Sequence, residues 1–171
     1  FNNPDDLAKY PRTLEADIKK LDALDPNIIL YAPSVEDIYE GNVQSQSFDF
    51  EGLENQMEGK FRPGHFAGVG TIVKRLFEII EPTNAYFGEK DFQQLQIVKK
   101  LVAKNNMKVS IIGCPIFRES NELAMSSRNE RLTTQEREEA AIIYKTLTGA
   151  KEKFKTESVS KISEWVSKFL A

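Results

Sequence analysis

From His65 to Pro115 the chain alternates between two kinds of apolar pattern, and this alternation restricts the fold more than any other feature. "HFAGVGTIVKRLFEIIEP" has helical periodicity and ends at Pro82. "NAYFG" is a short strand-like run, and "DFQQLQIVKKLVAKNN" is helical again, with Leu95, Val98, Leu101 and Val102 on one face. "KVSIIGCP" is a further apolar strand. Upstream, "RTLEADIKKLDAL" predicts an amphipathic helix from about Thr13, and the run from Asn27 to Ala32 a short buried strand ended by Pro33. "VQSQSFDF" predicts a more polar strand at a sheet edge. Helices alternating with strands predict an α/β fold, a parallel sheet with helices on both faces. After Pro115 the texture changes to a polar loop, "FRESNELAMSSRNERLT", followed by two helices over about 133–155 and 157–170. A second, mainly helical domain is expected to begin near Phe117.

Composition narrows the function classes. The formal net charge of −3, with Lys and Arg spread along 171 residues, offers no nucleic-acid or anionic-membrane surface. No apolar run approaches the ~18 residues of a membrane span. Cys114 is the single cysteine and His65 the single histidine, so an internal disulfide and a His-rich metal site are both excluded within this sequence. Lone cysteine usage predicts a reducing, cytoplasmic setting. The sequence opens at Phe1 without Met and stops just after an apolar stripe of Ile162, Trp165, Val166, Phe169 and Leu170. The expectation is a chain truncated at both ends, with burial of the stripe in a dimer as the competing reading.

Ligands of an open parallel sheet bind beyond the carboxyl ends of its strands. "YFGEKDFQQLQIV" lies at such an end and crowds Gly88, Glu89, Lys90 and Asp91 into one strand-to-helix turn. Gly88 permits close backbone approach, while Lys90 and the free N–H groups of the following helix favour an anion such as phosphate. Gln94 follows Lys90 by four residues and rises from the same helical face. The plainer reading has Asp91 capping the helix, with Glu89 and Lys90 solvated. "MSSRNERLT" sets Met125, Ser126, Ser127 and Arg128 on a short loop, where two hydroxyls and a guanidinium suit a polyphosphate; the plainer reading is a Ser N-cap beside a surface Arg. In "EGKFRPGHFAGV", Pro63, Gly64 and His65 open the long helix beside Arg62, and a His at a helix start is more often a structural hydrogen-bonder than a catalyst. No Walker A pattern is present, and the sequence indicates no protein-held metal.

"DDLAKYPRTLEAD", "EGKFRPGHFAGV", "AYFGEKDFQQLQIVKKLV" and "LAMSSRN", in this order and spacing, resemble the pantothenate synthetase family, the pantoate and beta-alanine ligases. That family is similar to the class I nucleotidyl transferases, which implies a Rossmann-type nucleotide- and pantoate-binding domain over 1–116, lacking its N-terminal part, and the start of a C-terminal lid domain over 117–171. The implied activity is ATP-dependent condensation of pantoate with beta-alanine through a pantoyl-adenylate, with ATP as co-substrate, Mg2+, and a homodimer as the usual state. Carried over by motif, Gly88, Glu89, Lys90 and Asp91 bind ATP together with Phe117, Met125, Ser126, Ser127 and Arg128. Lys90, Ser126, Ser127 and Arg128 act on the phosphates, and Gln94 holds pantoate. Tyr10 and Arg62 line or support the site.

Two departures accompany the resemblance. "ESNE" replaces a more usual acidic residue and glycine, with Asn121 expected to supply the turn. The family's His-x-Gly-His motif and its Gln that binds both acids do not occur in the sequence, so the chain by itself is expected to be inactive. Two alternatives are a related nucleotidyl transferase acting on another small acid and a non-catalytic nucleotide-binding module.

Overall fold

The computed structural model describes residues 8, 10, 12–39 and 44–170. Asp5, Asp6, Leu7, Lys9 and Pro11 of the first family string, Val43, and both chain ends lie outside the described residues. The chain divides into two compact units, Phe1–Pro115 and Ile116–Ala171.

In the first unit α1 spans Leu14–Leu24, as its periodicity predicts, yet none of its residues is fully buried. Thr13 does not cap it through its side chain; its hydroxyl donates to the Asp17 carboxylate at 3.0 Å. The strand expected from Asn27 to Ala32 does not form. These residues join no ladder among the described residues, and Ile29 is 92% exposed. An apolar, β-branched run becomes a strand only where another strand pairs with it. Ser34 and Asp37 then exchange hydrogen bonds, with the Ser34 N–H donating to Asp37 Oδ2 at 2.8 Å and the Asp37 N–H to Ser34 Oγ at 3.1 Å. This capping exchange opens α2, Val35–Tyr39.

The edge strand expected in "VQSQSFDF" does not form among its described residues, 44–50, which pack on a helix. Residues 44–50 cross α4, His65–Ile80, and the Gln46 N–H donates to Thr71 Oγ1 at 2.8 Å. The rings of Phe48 and Phe50 stack at 5.5 Å over Gly70, where an added Cβ would stand 3.0 Å from the Phe48 ring. Between these segments, a tight turn and the short helix α3, Met57–Phe61, lead to Gly64, whose φ of 78° starts α4. At the far end Glu81 takes the left-handed conformation before Pro82. Only one face of α4 is buried, through Phe66, Gly70, Thr71 and Phe77.

The sheet is as predicted from Asn84 onward. β1, Asn84–Gly88, and β2, Ser110–Cys114, pair in parallel with Asn84 opposite Ser110 and Gly88 opposite Cys114. The crossover is α5, Phe92–Lys104, which buries Leu95, Ile97, Val98 and Leu101. Phe50, Phe66, Ile97 and Leu101 form one core cluster and Phe77, Val98 and Val109 another. Each such side chain contributes about 1.5–3 kcal/mol of burial, so the two clusters hold α4, α5 and the sheet together. Lys104 and Lys100 also reach back from α5 to Asp49 and Glu51, which holds both carboxyls below their usual range.

The second unit begins with a hairpin in which Arg118 bridges Ala124 in antiparallel sense. The single helix expected over 133–155 is two. α6, Thr134–Ala140, opens with a full capping box between Thr133 and Glu136, and α7 is Ile142–Lys153. The break falls at Ala141, whose N–H reaches only three residues back, to the Glu138 carbonyl at 3.2 Å. α8, Val159–Phe169, starts at Ser158 and buries Ile162, while its Trp165 lies over Gly149 of α7. Arg118 stacks 3.5 Å above the Tyr144 ring, tying the hairpin to α7.

Candidate functional site

β1 ends at Gly88, and a 3-10 turn over Glu89–Asp91, not the helix itself, comes next. Gly88 has a φ of −67°, which any residue adopts, and a Cβ built there would meet nothing within 4 Å. Neither the backbone conformation nor the packing demands glycine there, and the space beside it is open. Asp91 makes no side-chain cap; its Oδ1 lies 3.2 Å from Lys90 Nζ. Both side chains are partly exposed, 37% for Lys90 and 57% for Asp91, so water screens the pair and it holds neither partner strongly. Glu89 is not merely solvated: a Cβ added at Gly113 of β2 would lie 3.2 Å from its Oε1.

One residue into α5, the two consecutive glutamines part company. Gln94 is half-buried and faces an open cleft of about 860 Å³, shared with Tyr10, Pro63, Gly64, His65 and Val69. Gln93 points inward. It is 5% exposed; its Nε2 donates to the carbonyls of Leu53 at 2.8 Å and Gln56 at 2.7 Å, and its Oε1 accepts from the Glu58 N–H at 3.0 Å. Gln93 was missed in the sequence, although a signal existed. It precedes Ile97 by four residues and Leu101 by eight, so it sits on the buried stripe, where a polar group needs partners.

Arg62 stands behind the cleft wall. Its Nη1 donates to Glu58 Oε1 at 2.5 Å and lies 3.2 Å from His65 Nε2, which accepts if the imidazole is neutral. Burial pushes the His65 pKa down and the Arg62 guanidinium adds to this, while Glu58 Oε1, 3.8 Å away, opposes it. A depressed folded value means that the contribution of neutral His65 to stability is whole above the ordinary 6.5 and is lost as pH falls below it. The melting temperature of the protein carrying this sequence should therefore fall more steeply between about pH 7 and pH 5 than that of His65→Gln. Parallel melting curves for the two proteins over that range would show that His65 titrates normally.

In the second unit the hairpin sets two expected nucleotide contacts side by side. The Met125 N–H donates to the Phe117 carbonyl at 3.0 Å, and both side chains are exposed, Phe117 at 71% and Met125 at 51%. Asn121 supplies the turn as expected, with Oδ1 accepting from the Leu123 N–H at 3.1 Å and Nδ2 donating to the Arg137 carbonyl at 3.0 Å. The residue that takes positive φ, 72°, is Glu122. Ser126 caps the 3-10 turn Ser127–Arg131, its Oγ accepting from the Arg128 N–H at 3.3 Å. The capping reading therefore holds for Ser126, while Ser127 and Arg128 begin the turn it caps. Buried Asn129, also missed in the sequence, fastens the loop by donating to Glu119 Oε1 at 2.6 Å and the Ala124 carbonyl at 3.1 Å.

The family model for pantoate-beta-alanine ligase matches residues 1–171. The chain belongs to the pantoate-beta-alanine ligase family. It is 66% identical to the pantothenate synthetase of Flavobacterium psychrophilum over 98% of this chain and 60% of that protein. With the pantothenate synthetase of Christiangramia forsetii it shares 55% identity over 97% of this chain and 59% of that one. The chain thus spans about three fifths of the length of these curated relatives. Among solved structures, the Thermus thermophilus pantothenate synthetase superposes with a TM-score of 0.91 at 38% identity, over 99% of this chain and 62% of that one. The Francisella tularensis pantoate-beta-alanine ligase, complexed with beta-gamma ATP and beta-alanine, gives 0.75 at 35% identity, over 99% of this chain and 63% of that chain. The mixed α/β architecture with its parallel sheet is thus that of solved pantoate-beta-alanine ligases.

Proposed function

We propose that the protein carrying this sequence condenses pantoate with beta-alanine at the expense of ATP, releasing AMP and pyrophosphate. The observation that carries this reading is Gln94 in the wall of a cleft of about 860 Å³, one helical turn beyond Lys90, within a chain of this ligase family. In the first unit Gly88, Glu89, Lys90 and Asp91 serve the nucleotide, Gln94 holds the pantoate hydroxyls, and Tyr10 and Arg62 line or back the cleft. In the second unit Phe117 and Met125 offer apolar surface to the base, and Ser126, Ser127 and Arg128 serve the phosphates. Residues 1–116 act as the nucleotide- and pantoate-binding domain and 117–171 as the start of the lid domain.

The pantoate carboxylate attacks the α-phosphorus in line and pyrophosphate leaves, with Lys90 and Arg128 offsetting the charge that develops on it. The amine of beta-alanine then attacks the adenylate carbonyl, loses a proton and expels AMP. Neither step needs a protein nucleophile. Mg2+ is assigned to the nucleotide phosphates, where a hard cation keeps several waters and bridges phosphate oxygens. No described helix is long and apolar enough to cross a membrane. A cytoplasmic homodimer is the setting that the single unpaired Cys114 and the family resemblance favour.

Gln94→Ala should raise the KM for pantoate by about tenfold or more and leave the KM for ATP nearly unchanged, because only the hydroxy acid loses a buried hydrogen-bond partner. Equal damage to both ligands would mean that Gln94 supports the loop and does not read the substrate. ATP consumption that is independent of pantoate would favour a relative acting on another acid.

A further inference from the structure

We propose that Gln93 and Glu58 are positioning residues that fix the Arg62–His65 wall of the cleft against Gln94. The inference rests on the reading of that cleft as the acid-substrate site. Gln93 and Gln94 are consecutive on one rigid helix, so whatever Gln93 holds is held in fixed register with Gln94. What it holds is the segment 53–58, through three hydrogen bonds that use both side-chain donors and the carbonyl oxygen.

This segment would not keep its shape unaided. Gly52 has a φ of 81°, and Met57, with no glycine's freedom, is held at a φ of 44° while its side chain is 63% exposed. A non-glycine residue in that region costs on the order of 1 kcal/mol and persists only where its surroundings enforce it. The Gln93 bonds to the Gln56 carbonyl and the Glu58 N–H lie immediately on either side of Met57. From Glu58 the connection continues through its carboxylate to Arg62 Nη1, and from Arg62 to His65 Nε2 at 3.2 Å, in the cleft wall. The chain Gln93, Glu58, Arg62, His65 thus runs from the floor of α5 to the wall that faces Gln94.

The test measures KM for ATP, pantoate and beta-alanine separately in the protein carrying this sequence. Gln93→Met keeps the length and loses all three bonds; Glu58→Ala keeps the backbone bond and loses the carboxylate that holds Arg62. Each should raise the KM of at least one acid substrate tenfold or more with the KM for ATP within twofold. Because the two residues act in series, the double variant should be no worse than the poorer single one. If Gln93→Met yields no folded protein, Glu58→Ala, at a side chain 47% exposed, carries the test alone. Equal rises for all three ligands, a lowered melting temperature with every KM unchanged, or multiplicative effects in the double variant would overturn the proposal. Gln94→Ala is run alongside. An unchanged pantoate KM there removes the reading of the cleft and this inference with it, whereas a raised one beside unaffected Gln93 and Glu58 variants removes this inference alone.

Discussion

In the protein carrying this sequence, Lys90→Ala should slow pyrophosphate release with ATP and pantoate by a hundredfold or more, on the order of 3 kcal/mol of transition-state stabilisation from one preorganised cation. The melting temperature should hardly move. In the structure Lys90 contributes little to the fold, since its ion pair with Asp91 joins neighbouring residues in a partly exposed turn. On the proposed reading, the same looseness lets its ammonium exchange Asp91 for a phosphate. Turnover in Lys90→Ala equal to that of the parent would return Lys90 to the role of a solvated surface residue.

Gly59→Ala should produce the opposite pattern, a large loss of stability at a buried residue outside the lining of the cleft. A Cβ at position 59 would lie 2.0 Å from the Glu54 carbonyl oxygen and 2.7 Å from its carbon, both backbone atoms that no rotamer can move aside. The turn must open, and it is the same turn whose carbonyls at Leu53 and Gln56 receive the Gln93 amide. Overpacking of this kind costs about 3 kcal/mol, which for a chain of this size lowers the melting temperature by roughly 6–12 °C. Calorimetry of Gly59→Ala against the parent is the check, and a shift under about 2 °C would show that the turn yields freely.

Where periodicity and local geometry decide structure, the elements could be read in advance. "DFQQLQIVKKLVAKNN" places its apolar residues on one stripe and folds as Phe92–Lys104, with "NAYFG" and "KVSIIGCP" flanking it as paired strands. "RTLEADIKKLDAL" starts its helix next to Thr13. The two strands that failed to appear, at Asn27 to Ala32 and in "VQSQSFDF", show the limit of such reading. An extended apolar run carries no information about what pairs with it, and for Phe48 and Phe50 the answer is helix α4 at Gly70. The adjacent pair Gln93 and Gln94 shows the same limit within the candidate site, since identical side chains one position apart face the backbone of the 53–58 turn and an open cleft.

By itself, then, the sequence determined the βαβ core from Asn84 to Cys114, the family to which the chain belongs, and the charged turn at the end of β1. Helical and strand periods are local properties, and quoted strings of ten or more residues are specific. Tertiary structure alone decided that Asp91 pairs with Lys90 instead of capping the helix, that Glu122 takes the left-handed turn position beside Asn121, and that Gln93 clamps a segment some forty residues away, its amide reaching the Leu53 carbonyl. Each of these depends on which groups the folded chain brings within about 3 Å: the spacing that places Gln93 on the buried stripe marks it as needing partners and does not say which they are.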